Sequence, residues 1–238
     1  MSGWWDDVVT RVTPSSAVTL DARTVTLALA AALAVVAVPP LWRVLRVVVT
    51  LVHELGHAVV GILCGRRFTG FVLRADMSGE AVTVGAARGA GRVATTWAGY
   101  PAPGIVGAVL VLAAAHGWAA PVLTAVGVLL VVVAIRVRSF YTGLALVAVL
   151  AGVAALWWWR DDARSAAVLL GVGAVLVLGA WRHLGAVAGS PRGSDPAVLA
   201  ALTRVPGWLW VFSFGLVLAG ATWVAWRQVA EVGLALPW

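Results

Sequence analysis

The sequence predicts an all-α polytopic membrane protein with about seven transmembrane helices and a small β-hairpin between the second and the third. Composition is the first reason, because 62% of the residues are hydrophobic, 11% are charged and the mean hydropathy is +0.97, which is far from the composition of a soluble domain. The second reason is that seven apolar runs approach the roughly 20 residues that a membrane span requires. No repeat or second domain interrupts them, so residues 1–238 are interpreted as one integral-membrane domain.

Prolines and aromatic residues mark the boundaries of these runs. Two consecutive prolines at 39–40 end the first run sharply, and Pro101 and Pro103 predict that the third span is bent near its start. Three tryptophans at 157–159 precede the polar "RDDAR", as expected where a helix reaches the membrane surface. The predicted spans cover residues 24–41, 43–64, 97–118, 120–136, 140–159, 164–185 and 207–227.

Two connections between the runs are long enough to fold locally. Residues 66–96 contain two strand-like segments, "FTGFVLRAD" and "EAVTV", around the turn-like "MSGE", which predicts a β-hairpin. The following "GAARGAGR" lacks the strand-to-helix context of a phosphate loop and is interpreted as a flexible linker. Residues 186–206 hold a polar turn and a short helix, which Ser194 or Asp195 would cap.

The arginines predict the orientation. All 17 basic residues are arginines spread between the apolar runs, so the net charge of +7 indicates membrane orientation and not nucleic-acid binding. With seven spans, twelve arginines lie on the side of the N-terminus, the hairpin and the 186–206 loop, and five lie on the other side. The positive-inside rule then places the N-terminus in the cytoplasm. Richness in Ala, Val, Gly and Arg is typical of GC-rich bacterial coding and suggests a bacterial plasma (inner) membrane.

The stretch "LVHELGHAVV" at residues 51–60 contains the candidate metal ligands and the candidate general base. His53 and His57 are four residues apart and therefore lie on one face of a helix, where both imidazoles can bind one metal ion. Glu54 would project beside that ion, as in HExxH zinc sites in which the glutamate is the general base. The alternative is a pair of buried histidines bonded to carbonyl groups, but ionisable residues inside a membrane are costly and usually functional.

A catalytic zinc ion usually has three protein ligands, so a third is needed from elsewhere. Asp195 and His183 lie on the side of the membrane towards which the second span runs after His57. Asp195 is preferred because its loop can fold inward and because a carboxylate suits the site. His183 stays open as the alternative, and a simple helix cap is the alternative role of Asp195.

The "HELGHA" of a transmembrane helix, with a distant aspartate, resembles the site-2 protease family of intramembrane zinc metallopeptidases. The segments "HELGHAVVGILCGRR" and "SDPAVLAALTRVP" are similar to a compact bacterial branch of that family. The resemblance implies that His53, His57 and Asp195 bind Zn²⁺ and that Glu54 is the base. Two departures are present: Pro196 stands where better-known members have glycine, and "AGYPAPG" at 98–104 contains no asparagine. Tyr100 in that segment is a candidate oxyanion donor.

The resemblance implies hydrolysis of peptide bonds in or near transmembrane segments, with a transmembrane or membrane-anchored protein as substrate. The hairpin could bind such a segment as an edge strand, or could be a connector. A non-proteolytic metal-binding protein, either a transporter or a scaffold, is the alternative function. A transporter would show paired broken helices or several intramembrane charges, and a scaffold would be expected to lack Glu54. A zinc hydrolase that acts on lipids or prenylated chain ends also stays open.

Overall fold

The computed structural model describes residues 3–15, 18, 20–73, 79–137, 139–189 and 191–234, which are mostly helical. This part of the chain contains ten helices and two strands. In chain order they are α1 (Trp4–Val12), α2 (Ala22–Ala37), α3 (Pro39–Leu63), β1 (Arg67–Leu73), β2 (Gly79–Val84), α4 (Ala90–Trp97), α5 (Pro101–Ala115), α6 (Ala119–Ala134), α7 (Phe140–Trp158), α8 (Asp162–Ala186), α9 (Asp195–Thr203) and α10 (Gly207–Leu234).

Each of the seven predicted spans contains a helix, but the helices differ in length. Among the described residues, α3, α7, α8 and α10 are long and apolar enough to cross a membrane, and α4 with α5 makes a fifth candidate. The helices α2 and α6 have 16 residues each, or roughly 24 Å at 1.5 Å per residue, which is shorter than the ~30 Å hydrocarbon core. The count of seven spans therefore stays a prediction, and four to five are supported.

The third predicted span is bent, as its prolines indicate. The axes of α4 and α5 differ by 57°, and the break between them spans residues 98–100 before Pro101 begins α5. The prediction of a flexible linker over residues 85–92 is wrong at its end, because α4 starts at Ala90. The helix can begin there because Gly89 adopts a positive φ of 101° that leads the chain into the first turn.

The two strands form an antiparallel sheet between α3 and α4. Phe71 pairs with Ala81, and an irregularity in the register lies between Phe68 and Gly70. Residues 74–78, which include Met77 and Ser78 of the predicted turn, lie outside the described residues. On its outer side, β1 is bonded to the α6–α7 turn, because the Phe71 N–H donates to the Arg136 carbonyl at 3.2 Å.

The centre of the bundle is the contact between α5 and α8. A Cβ at Gly107 would lie 2.6 Å from the Gly173 carbonyl oxygen, and a Cβ at Gly173 would lie 2.7 Å from the Gly107 carbonyl oxygen. Glycine at both positions therefore lets the two backbones touch, as small residues do in membrane helix pairs. Further along, Ala114 of α5 clusters with Ala166 of α8, so these helices are antiparallel.

The N-terminal part of the fold differs from the expected topology. Helix α2 runs in the same direction as α8, because Ala28 packs near Gly171 and the Val36 carbonyl accepts a hydrogen bond from Arg182. The segment before it lies at the start of α8, where the Ser15 N–H donates to the Gly117 carbonyl at 2.9 Å. The N-terminus is therefore at the end of the bundle opposite to the C-terminus of α8, and not on the side of the 186–206 loop.

Candidate metal centre

Helix α3 presents the "HELGH" side chains towards the protein interior. Thr50, Glu54, Ala58 and Gly61 form its buried face, at intervals of three and four residues. His53 and His57 flank this face, and their side chains are 14% and 12% exposed. Glu54 is 6% exposed. The helix thus buries the glutamate and places both imidazoles at the edge of the packed interior.

The two histidines and Asp195 converge on one point. The Nε2 atoms of His53 and His57 are 3.1 Å apart. Asp195 Oδ2 lies 3.4 Å from His53 Nε2 and 3.2 Å from His57 Nε2. These are the ligand atoms of the only group of three or more His, Cys, Asp or Glu side chains in the described ranges that could hold a metal ion.

Asp195 reaches this point because it begins α9. Ser194 is the N-cap residue, and Pro196 in the first turn is buried and fixes the start of the helix. Burial raises the pKa of Asp195, but hydrogen bonds from His53 and His57 outweigh this effect and hold that pKa below its usual range. A carboxylate that stays ionised in a partly buried position, beside two imidazoles, is a suitable donor for a divalent metal ion.

The end of α4 and the segment between α4 and α5 orient the histidines. His57 Nδ1 lies 2.7 Å from the Thr95 carbonyl oxygen, which directs Nε2 towards Asp195. Gly99 leaves space for the imidazoles, since a Cβ there would lie 2.4 Å from His57 Nε2 and 2.7 Å from His53 Cε1. The ring of Tyr100 packs edge-on against His53, with 4.7 Å between centroids, and stacks on Phe214.

Glu54 lies beside the cluster and has a different partner. Its Oε2 atom accepts a hydrogen bond of 2.6 Å from the backbone N–H of Ala81 in β2. The backbone of β2 approaches closely, because a Cβ at Gly79 would lie 2.7 Å from Glu54 Cγ. The small sheet therefore covers the carboxylate, while the two histidines face α9.

His183, the alternative third ligand, lies apart from the convergence point. Its ring makes an edge-on contact with Trp42, with 5.4 Å between centroids, in the layer where α3 crosses α8. It is not a member of the group whose ligand atoms lie within 4.8 Å of one another. The geometry therefore favours Asp195 over His183.

The comparison with protein families matches most of this architecture. A profile of the family described as Peptidase M50B-like aligns with residues 26–225 and so includes α3, the sheet, α9 and most of α10. The chain belongs to this family. Peptidase M50B-like proteins are a site-2 protease family, which confirms the resemblance to that family; the compact bacterial branch stays a prediction. Together with its apolar helices, membership indicates a multi-pass membrane protein of a metallopeptidase family. No curated protein and no solved structure matches the chain.

The donor set fits a metal ion, and several parts of the site were not predicted. The structure brings together His53, His57 and Asp195, with Glu54 and Tyr100 beside them. The Thr95 carbonyl, the Ala81 amide and the two glycines 79 and 99 were missed. Backbone groups carry no sequence signal for such roles. Gly99 had a signal that was available, because it directly precedes Tyr100 in the segment where the chain departs from better-known relatives.

Proposed function

We propose that the protein is an intramembrane zinc metalloprotease that hydrolyses peptide bonds in or near transmembrane segments of membrane proteins. The observation that carries this proposal is the convergence of two imidazoles and one carboxylate, with the Glu54 carboxylate beside them. Family membership supports the metallopeptidase class. Two nitrogen donors and one oxygen donor are one of the ligand sets of catalytic zinc sites, which keep a further position open.

His53, His57 and Asp195 would hold the zinc ion. When bound, the ion would supply Lewis-acid chemistry that activates a water molecule and polarises the scissile carbonyl. Proton transfer and the positioning of the ligands are the roles of the chain's own residues. Glu54 accepts a proton from the attacking water and later returns it to the leaving amine. The Thr95 carbonyl holds the His57 ring in place, and the role of Tyr100 as an oxyanion donor is part of this proposal.

The proposed substrate is a locally extended segment of a membrane protein, because a helix hides its carbonyl groups in its own hydrogen bonds. The orientation follows from the arginines. Arg66, Arg67, Arg182, Arg192 and Arg204 belong to the elements around the metal centre, whereas Arg11, Arg160 and Arg164 lie at the opposite end of the bundle. The positive-inside rule then places the metal centre and the 186–206 loop towards the cytoplasm and the N-terminus outside. A bacterial plasma membrane remains the proposed location.

Three variants test the function in purified protein with a transmembrane substrate. Glu54→Gln should keep zinc and lose roughly 10²–10⁴-fold in cleavage rate, since it removes the base but no ligand. Asp195→Ala should lose both metal and activity, while the matched His183→Ala should keep zinc. Full activity in Glu54→Gln would end the metalloprotease proposal. Zinc binding without cleavage of any peptide would favour the transporter or scaffold, and release of a lipid or prenyl group would favour the other hydrolase.

A further inference from the structure

The first helix, α1, separates its apolar side chains from its polar ones. At about 100° per residue, its two tryptophans and three valines fall within an arc of about 140°. The other side of the helix carries Asp6, Asp7, Thr10 and Arg11. None of the nine residues of α1 is buried, so the apolar side of this helix is not part of the protein core.

Polar contacts fix the C-terminal half of α1 on the protein. The Arg11 carbonyl oxygen lies 3.0 Å from Thr124 Oγ1 of α6, and the Trp157 indole N–H of α7 donates to the same hydroxyl oxygen at 3.0 Å. Beyond the helix, the Ser15 N–H donates to the Gly117 carbonyl at 2.9 Å. These contacts hold α1 at the start of α6, at the end of the bundle opposite to the metal centre, and so determine which of its side chains point away from the protein.

The side chains that point away from the protein include most of the apolar ones. Trp4 and Trp5 are 73% and 62% exposed, and Val9 and Val12 are also exposed. A contiguous apolar surface of this kind usually marks a contact with a membrane or with another protein.

The surroundings of α1 favour a membrane. The guanidinium of Arg11 lies over the rings of Trp157 and Trp158, at 5.0 and 5.5 Å from their centroids. Trp118 and Trp159 at the same end of the bundle are exposed. Tryptophans gather where a membrane protein meets the lipid headgroups. The exposed rings of α1 therefore lie at the end of the protein where other tryptophans indicate this boundary.

The polar side of α1 limits how deeply the helix can enter the membrane. Asp6 and Asp7 are exposed, and Asp6 Oδ2 accepts a hydrogen bond of 3.1 Å from the Gly3 N–H at the start of the helix. Ionised carboxylates are costly in the hydrocarbon region, whereas the tryptophans and valines are unfavourable in water. The boundary between hydrocarbon and water is the environment that suits both sides of the helix.

We infer that α1 binds the lipid surface, on the membrane face opposite to the metal centre. Trp5, Val9 and Val12 lie towards the acyl chains, and Asp7 and Thr10 lie towards water. The helix carries two aspartates and one arginine, so apolar and aromatic contacts provide the binding and attraction to anionic lipid does not. No residue of this contact belongs to the metal centre, so the inference is independent of the proposed function.

Two nitroxide labels on opposite sides of the helix test this placement. Val9→Cys and Asp7→Cys would be made separately in the Cys64→Ser background and labelled in the full-length protein, in nanodiscs of phosphatidylethanolamine and phosphatidylglycerol. The label at 9 should collide with oxygen several-fold more often than with a water-soluble nickel reagent, and the label at 7 should show the reverse. Val147→Cys gives the reference for the acyl-chain region, because this residue is exposed in the middle of α7.

The same labels distinguish the lipid surface from other environments. Equal exposure of both labels to the nickel reagent would show that α1 lies in water, and equal protection of both would show that it is buried. Either result would overturn the inference. Spin–spin broadening at residue 9, with protection that disappears when each nanodisc holds one copy, would overturn it in favour of a second copy of the chain. If the Val9→Cys protein cannot be prepared, Val12→Cys on the same side replaces it.

Nanodiscs of neutral phosphatidylcholine test the source of the binding. The protection of the label at residue 9 from the nickel reagent should be unchanged in this bilayer, because apolar contacts do not depend on the charge of the headgroup. Loss of that protection without phosphatidylglycerol would show that the helix binds anionic headgroups, and would overturn the apolar contact that the inference requires.

Discussion

The two ends of the bundle are built from different interactions. At the metal-centre end, four separate elements contribute polar groups that converge within a few ångströms: α3, β2, the α4–α5 break and α9. At the aromatic end, around α1 and the α7–α8 turn, the contacts are tryptophan rings, Arg11 and short-range ion pairs such as Arg160 with Asp162 at 2.9 Å. Among the described residues, polar groups from distant parts of the chain converge only where the metal site is proposed, whereas the other end carries exposed tryptophans typical of a membrane interface.

A large effect should come from Gly99→Ala at the metal-centre end. The added methyl group would lie 2.4 Å from His57 Nε2, so the imidazole must move away from Asp195. We expect metal affinity to fall roughly 10–100-fold, as when the groups that orient a ligand are lost, with a parallel loss of cleavage. Gly152→Ala is the matched control, because no atom lies within 4 Å of a Cβ there. Equal zinc content in the two variants would contradict the proposed packing.

Labelling of cysteines should place the two ends on opposite sides of the membrane. Thr10→Cys and Ser194→Cys would be made separately in the Cys64→Ser background. An impermeant thiol reagent should label residue 10 in intact cells and residue 194 only after permeabilisation. Labelling of both from the same side would show that the N-terminus and the metal centre share a face, as the sequence alone suggested.

The direction of α2 and some contacts of the site could not be predicted from the sequence. The arginine count could not reveal the direction of α2, because the count takes the order of the spans as given and does not test it. The positions of the helices and the "HELGH" face were predictable, since they depend on local apolar runs and on a spacing of four residues. Asp195 was predictable in part, from its loop and from family resemblance. The Ala81 and Thr95 backbone groups were not, because any residue type supplies them.

A smaller effect should come from Arg11→Ala at the aromatic end. The variant removes the cation–π contacts with Trp157 and Trp158, each worth about 0.5–1 kcal/mol at an exposed site. We expect a small loss in the free energy of unfolding and an unchanged cleavage rate. Thermal unfolding and initial rates in the same detergent would measure both. A large loss of activity with unchanged stability would show that the aromatic end takes part in catalysis.

The metal content of histidine variants from the two ends tests the central claim most directly. His57 lies at the convergence point, whereas His116 ends α5 at the aromatic end and has its Nδ1 atom 2.8 Å from the Leu112 carbonyl oxygen. Elemental analysis of purified protein should find about one zinc per chain in the wild type and in His116→Ala, and essentially none in His57→Ala. A wild-type protein without zinc, or equal zinc in the two variants, would contradict the claim that this end is a catalytic metal centre.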